Sequence, residues 1–199
     1  MTDDVYRTVA GRASAAFETK GSEFIGYVSP VASIEEAEAF LAEIEATHSD
    51  ATHNVPAYRV RADPFREYQS DDGEPSGSAG KPALNVLQGR DLENVACVVT
   101  RYYGGTNLGI GGLVRAYSRA VNEAVEAAGI EDVRPQERIE IVVEYDESGT
   151  VRRIVESAAS EFEADYDERV RILALVPSAD AAAFRDRVLS ATGGRAEIE

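Results

Sequence analysis

The chain has 199 residues, 44% of them hydrophobic, enough for one large domain or two small ones with cores of their own. Thirty-six acids against twenty bases leave a formal charge of −16, and among the bases only Lys20 and Lys81 are lysine. No apolar run approaches the roughly 20 residues a spanning helix needs, the opening MTDDVYRTVA lacks the basic start and apolar core of a secretion signal, and a lone Cys97 excludes an intrachain disulfide and a CxxC metal site.

In chain order, YRTVA, SAAFET and EFIGYVSPV read as short strands broken by glycine. SIEEAEAFLAEIEATH is an amphipathic helix: Ser33 and Glu36 form a capping box, and Ile34, Ala37, Leu41 and Ile44 recur at helical spacing. VPAYRVR is a strand, DDGEPSGSAGKP a loop, and PALNVLQG a short helix that Pro82 starts. NVACVVTRY has no polar alternation and predicts an inner strand covered on both sides, with Cys97 a buried strand residue. GGTNLGIGG is a loop, and LVRAYSRAVNEAVEAAG a second helix that Gly129 stops.

Beyond EDVRPQ come RIEIVVEY (strand), TVRRIVESAA (helix), EFEADYDE (strand and turn), VRILALVP (strand), DAAAFRDRVLSATG (helix) and RAEIE (short strand). That order, βαββαβ, is the split arrangement of ferredoxin-like domains. The expected division is therefore an α+β chain with domains at residues 1–132 and 137–199, Pro135 preventing a continuous helix between them.

An acid excess with scarce lysine keeps a protein solvated at high salt, so the charge points first to a salt-rich cytoplasm and disfavours nonspecific nucleic-acid binding without forbidding a local basic site. Both parts are equally negative, yet Asn94 to Asn122 contains no acid and carries Arg101, Arg115 and Arg119. The first loop offers Gly77, Ser78, Ala79 and Gly80 as backbone donors and Lys81 as an ammonium. It is not a Walker loop, because Pro82 stands where a magnesium-holding Ser or Thr belongs. The second loop follows a strand and opens a helix, the geometry that holds phosphate, and Arg115 and Arg119 share a helical face. If the loops converge, Lys81, Arg101, Arg115 and Arg119 surround a polyanion. The alternative is that Gly104, Gly105, Gly109, Gly111 and Gly112 only allow close packing while the arginines pair with Asp71, Asp72 and Glu74.

His48 and His53 flank Asp50 at a spacing that does not place both on one helical face; they read as a metal pair, as polar residues of the cleft, or as a capped turn. Ser76 and Ser78 lack a nucleophile elbow. Of Tyr102 and Tyr103, which must face opposite ways in a strand, one is available to stack on a base.

SDDGEPSGSAGKPALNVL followed by NVACVVTRYYGGTNLGIGGLVRAYSRAV resembles the paired signature of the IMPACT/YigZ family, with KGSEFIGYVSPV and ATHSDATHNVPAY also in place. The resemblance implies a first domain similar to the second domain of ribosomal protein S5 and a ferredoxin-like second domain similar to one in elongation factor G. It also implies translational control in the eukaryotic branch and RNA or ribosome binding in the prokaryotic one. The residues carried over to the site are Asp71, Asp72, Glu74, Gly77, Gly80, Lys81, Arg101, Tyr102, Gly104, Gly105, Gly111, Gly112, Arg115, His48 and His53, with Ser76, Ser78 and Arg119 added from the loop and helix reading. Glu23 stands where many relatives are basic, which argues against a nucleic-acid contact from that edge. The expectation is a noncatalytic cytoplasmic factor that binds RNA or the ribosome, with a protein partner in translation control as a further expectation and without cofactor, metal or membrane. A hydrolase or transferase acting on a phosphorylated compound and a protein scaffold are the alternatives.

Overall fold

The computed structural model describes residues 5–199. It divides into two compact units, Tyr6–Val133 and Arg134–Glu199, the second grouped with Val5. The expected start of the first domain at residue 1 lies outside the described residues.

The first unit runs β1 (Tyr6–Val9), β2 (Ala13–Thr19), β3 (Ser22–Pro30), α1 (Ile34–Thr47), β4 (His53–Val60), β5 (Arg66–Gln69), α2 (Gly80–Gly89), β6 (Val95–Tyr102), α3 (Ile110–Ala128) and β7 (Ile130–Val133). Five strands form an antiparallel sheet in the order β2-β3-β6-β4-β5, and β1 pairs with β7 beside it. The central strand β6 is the covered inner strand its apolar run predicts. Val95, Cys97 and Val99 enter the core with residues of α2 and α3, while Ala96 and Val98 enter the core with residues of α1. Side chains alternate across a strand, so one run of small and branched residues serves both layers.

Two features fix α3 against the sheet. Its buried stripe is Leu113, Ala116, Tyr117, Ala120, Val121, Ala124 and Val125, and it crosses β3 at Gly26, where a Cβ would lie 2.2 Å from the Ala120 carbonyl oxygen. No side chain fits there, and the close approach brings the start of α3 to the end of the sheet where β6 finishes. At α1 half of the capping box forms as read, with Ser33 Oγ accepting from the Glu36 N–H, while Glu36 reaches one residue further back, to the Ala32 N–H at 2.8 Å.

Two strands were not legible. REYQ of β5 is exposed at every position and carries no inward face to detect. β7 occupies IEDV, to which the sequence reading assigned no element, and is a strand because Ile130 and Val133 register with Val9 and Tyr6. Helix α2 begins at Gly80 and not at Pro82.

The second unit runs β8 (Gln136–Val143), α4 (Tyr145–Ala158), β9 (Glu161–Tyr166), β10 (Val170–Pro177), α5 (Ser178–Ala191) and β11 (Glu197–Ile198). Its antiparallel order β11-β8-β10-β9 is ferredoxin-like. Ile139, Ile141, Ile172 and Ala174 from the sheet meet Val151, Val155, Phe184 and Val188 from the helices in one core. Helix α4 starts before Thr150 because Asp146 and Glu147 suit the positive end of its dipole. Among the described residues, no helix is long and apolar enough to cross a membrane.

Candidate nucleic-acid interface

The site is built at one end of the five-stranded sheet. Phe24 of β3, Arg101 of β6 and His53 of β4 are neighbours across three strands, and parity places all three on the face that α2 and α3 cover. The segment 71–79 crosses this end of the sheet. Glu74 reaches in, and its Oε1 accepts from Arg101 Nη1 at 2.6 Å and from the Tyr117 hydroxyl of α3 at 2.7 Å. Burial and the adjacent Glu74 carboxylate push the Tyr117 phenol well above its ordinary range. Arg101 lies over the Phe24 ring, 5.3 Å from its centroid, and Nη2 reaches Ser22.

This geometry corrects the expectation for Arg101. The side chain is 6% exposed and tied to a carboxylate, which is the internal-pairing alternative, so it does not grip a polyanion at the surface. The donors of the first loop are likewise committed. Asp71 accepts from the N–H groups of Gly77 (2.7 Å), Ala79 (3.0 Å) and Gly80 (2.9 Å). Partial burial works to raise the Asp71 pKa, and these three bonds overcome it, holding the carboxyl below the usual aspartate range. The anion that this loop cradles is therefore its own. Asp72, at φ 45°, accepts from the Asn54 N–H at 2.6 Å and pins the loop to β4. Gly73 and Gly77 take positive φ to make the turns. Ser78 is fully buried, its hydroxyl without a partner among the described residues, whereas Ser76 and Lys81 are exposed.

In the second loop the start of α3 has no side-chain cap. Gly109, at φ 72°, caps α3 without a side chain, and the first turn (Ile110, Gly111, Gly112) carries no acid. Gly104 belongs to packing: a Cβ there would lie 1.8 Å from the Gly21 carbonyl oxygen, and its N–H donates to Ser22 Oγ. Gly105 is exposed in the turn.

The two loops do meet. A cleft of about 460 Å³ has Glu74 and Pro75 of the first loop on one side and Asn107 to Ile110 of the second on the other, with Thr52, His53, Arg101, Tyr103 and Leu113 completing it. A second cavity, a groove of about 190 Å³, lies between the β2–β3 turn and α3. Lys20, Arg115 and Arg119 line it with Phe17, Leu108 and Gly112. Arg119 stacks on Phe17, 4.0 Å from the ring centroid, and pairs with Glu123. Arg115 is exposed, and neither it nor Lys20 has an ion-pair partner among the described residues. Lys81 lines neither cavity, so the expected quartet of cations does not assemble; Lys20, held at φ 48° in the turn, stands with the two helix arginines instead.

The histidines part company. His53 stays on the cleft face, where its Nδ1–H donates to the Asp72 carbonyl oxygen at 2.6 Å. His48 caps α1 on the opposite face, within a chain of hydrogen bonds. The Tyr27 hydroxyl donates to its Nε2 at 2.6 Å, its Nδ1–H donates to the Tyr102 oxygen at 2.9 Å, and the Tyr102 hydroxyl donates to Asp50 at 3.1 Å. His48 and Tyr102 are thereby removed from the cleft, and no metal pair forms. Burial first, and then Asp50, raise the Tyr102 phenol. Tyr103, 45% exposed with its hydroxyl on Asn107, is the available ring. Its parity with Arg101 was the signal for this. Nothing in the sequence announced Thr52, Asn107 or Lys20 as lining residues.

Residues 20–125 match the model of the Impact N-terminal domain, and residues 141–195 match a domain of unknown function, DUF1949. The IMPACT family member YvyE of Bacillus subtilis is 34% identical over 197 residues, covering 98% of this chain and 90% of its own. The Protein IMPACT homolog of Saccharomyces cerevisiae is 31% identical over 122 residues, 60% of this chain and 47% of its own. A crystal structure of a hypothetical protein superposes with a TM-score of 0.70 at 31% identity, across 98% of this chain and 96% of that one.

Proposed function

We propose that this chain, which belongs to the IMPACT family, is a noncatalytic translation factor whose first unit binds RNA, free or within the ribosome, through the groove of Lys20, Arg115 and Arg119. The carrying observation is that groove itself: in a chain of net charge −16, three cations converge beside an acid-free helix start, and two of them have no carboxylate partner among the described residues. Internal pairing explains Arg101 and does not explain Lys20 or Arg115. The association of the family's eukaryotic branch with translational control supports the setting, and the acidic, lysine-poor surface supports work in a salt-rich cytoplasm.

Phosphate contacts released by salt give the test. Titration of a short structured RNA at several salt concentrations yields a log–log slope of about −0.7 to −0.9 per neutralised phosphate, so about three contacts give a slope between −2 and −3. Salt-independent binding, or none, overturns the reading. The enzyme alternative draws less support, since Ser76 is exposed on a turn, Ser78 is buried, and the carboxylate at the cleft is already neutralised by Arg101. A scaffold role predicts capture of a protein partner without RNA affinity.

A further inference from the structure

We propose that Tyr103 is the base-stacking residue of the RNA site, so that the RNA this chain takes is single-stranded where it is bound, as a free strand or an unpaired stretch of a folded one. The inference rests on the groove reading and adds what phosphate contacts do not specify. Three hollows of the first unit meet around this ring. The groove of Lys20, Arg115 and Arg119 shares Leu108 with the cleft and Phe17 with a further hollow of about 490 Å³, and Tyr103 lines both of those neighbours. A chain whose phosphates lie in the groove therefore carries its next units past Tyr103.

Among the described residues, three phenyl or phenol rings line these hollows, and two of them are already taken. Phe17 has the Arg119 guanidinium 4.0 Å from its centroid and Phe24 stacked on it at 5.5 Å. Tyr102 is bound into the hydrogen bonds of His48 and Asp50 and meets the His48 ring edge-on at 6.0 Å. Tyr103 is 45% exposed and yet held at three points. Its N–H donates to Thr52 Oγ1 at 2.9 Å, its hydroxyl donates to Asn107 Oδ1 at 3.1 Å, and the Arg101 guanidinium lies 5.3 Å from its centroid. The next N–H, of Gly104, is fixed on Ser22 Oγ at 3.1 Å, and Arg101 is itself fixed by Glu74. A ring ordered in advance gives up little further freedom when a ligand lies on it. The buried charge beside it also selects the ligand. A guanidinium against the ring offsets the negative π face that draws lysine, arginine or a quaternary ammonium, and so favours a neutral planar body. A nucleobase joined to phosphates supplies the planar body here and the anions next door. Only an unpaired base reaches the ring, because duplex RNA keeps its bases stacked on one another.

The test titrates the full chain, at several salt concentrations, with a short oligouridylate carrying one 2-aminopurine and with an RNA duplex of the same length. Stacking on Tyr103 quenches the 2-aminopurine fluorescence on binding. Tyr103→Ala abolishes the quench, lowers single-strand affinity about tenfold, and leaves the duplex affinity and both salt slopes unchanged. Tyr103→Phe keeps the ring and keeps the quench. Arg115→Ala lowers the affinity for both RNAs and makes both slopes shallower, so ring and groove are read separately. An unquenched 2-aminopurine in the wild-type complex, equal losses for single strand and duplex in Tyr103→Ala, or a folded Tyr103→Ala that binds the single strand as wild type does overturns this inference and leaves the groove reading standing. Salt-independent binding of both RNAs, or none, overturns the groove reading and this inference with it.

Discussion

Arg101 Nη1 and Glu74 Oε1 are 2.6 Å apart, with side chains 6% and 4% exposed, and this pair anchors the loop 71–79 to the central strand. The loop carries few apolar residues to bury, so a charge-assisted bond at its centre does what a hydrophobic anchor does elsewhere. Glu74→Ala leaves a buried guanidinium and the Tyr117 hydroxyl uncompensated and costs about 3–5 kcal/mol. Glu74→Gln, which keeps an acceptor, costs less. Urea denaturation of both variants checks the order; equal stability of wild type and Glu74→Ala contradicts it.

Asp71 organises the same loop from the other end. Asp71→Asn weakens three N–H bonds at once and destabilises by roughly 1–3 kcal/mol. Because the folded-state pKa is depressed, this contribution is complete above the ordinary aspartate value of about 3.9 and disappears as pH falls through the lower folded value. Thermal melts from pH 6 down to pH 2 therefore show a smaller acid-side loss for Asp71→Asn than for wild type.

Glycines with different surroundings respond differently. Gly26→Ala drives a Cβ to 2.2 Å from the Ala120 carbonyl oxygen, and since neither backbone can yield, α3 shifts and the melting temperature falls by many degrees. Gly89, in the last turn of α2 with nothing within 4 Å of its added Cβ, accepts alanine with a gain of up to about 1 kcal/mol. A melt of each variant settles the contrast.

The fold was legible wherever apolar periodicity carried it. The long strand β6, the helices α1 and α3, and the βαββαβ order of the second unit each bury a patterned face. β5 was invisible because all four of its residues face solvent, and β7 because its pairing with β1 joins residues far apart in the chain. The motifs raised the convergence of the loops only as a condition, and the fate of individual charges was not readable from them. Arg101 and Arg115 look alike in sequence; strand parity turns one inward to Glu74, and the first turns of α3 leave the other in water. The separation of His48 from His53 likewise depends on which side of the sheet α1 packs against.

Cys97 is fully buried, and burial pushes its thiol up to about 12. In the folded protein it stays unmodified by a thiol reagent at pH 8 and reacts at once in denaturant. Reaction at equal rates in the two conditions contradicts the burial of β6.

The central claim is that unpaired cations of the groove, and not the buried Arg101, contact RNA phosphates. Salt-dependent RNA titration of wild type and Arg115→Ala, beside their melting curves, tests it most directly. The account predicts weaker binding, a log–log salt slope shallower by roughly one unit and an unchanged melting temperature for Arg115→Ala. An unaltered affinity and slope in a folded variant contradicts it.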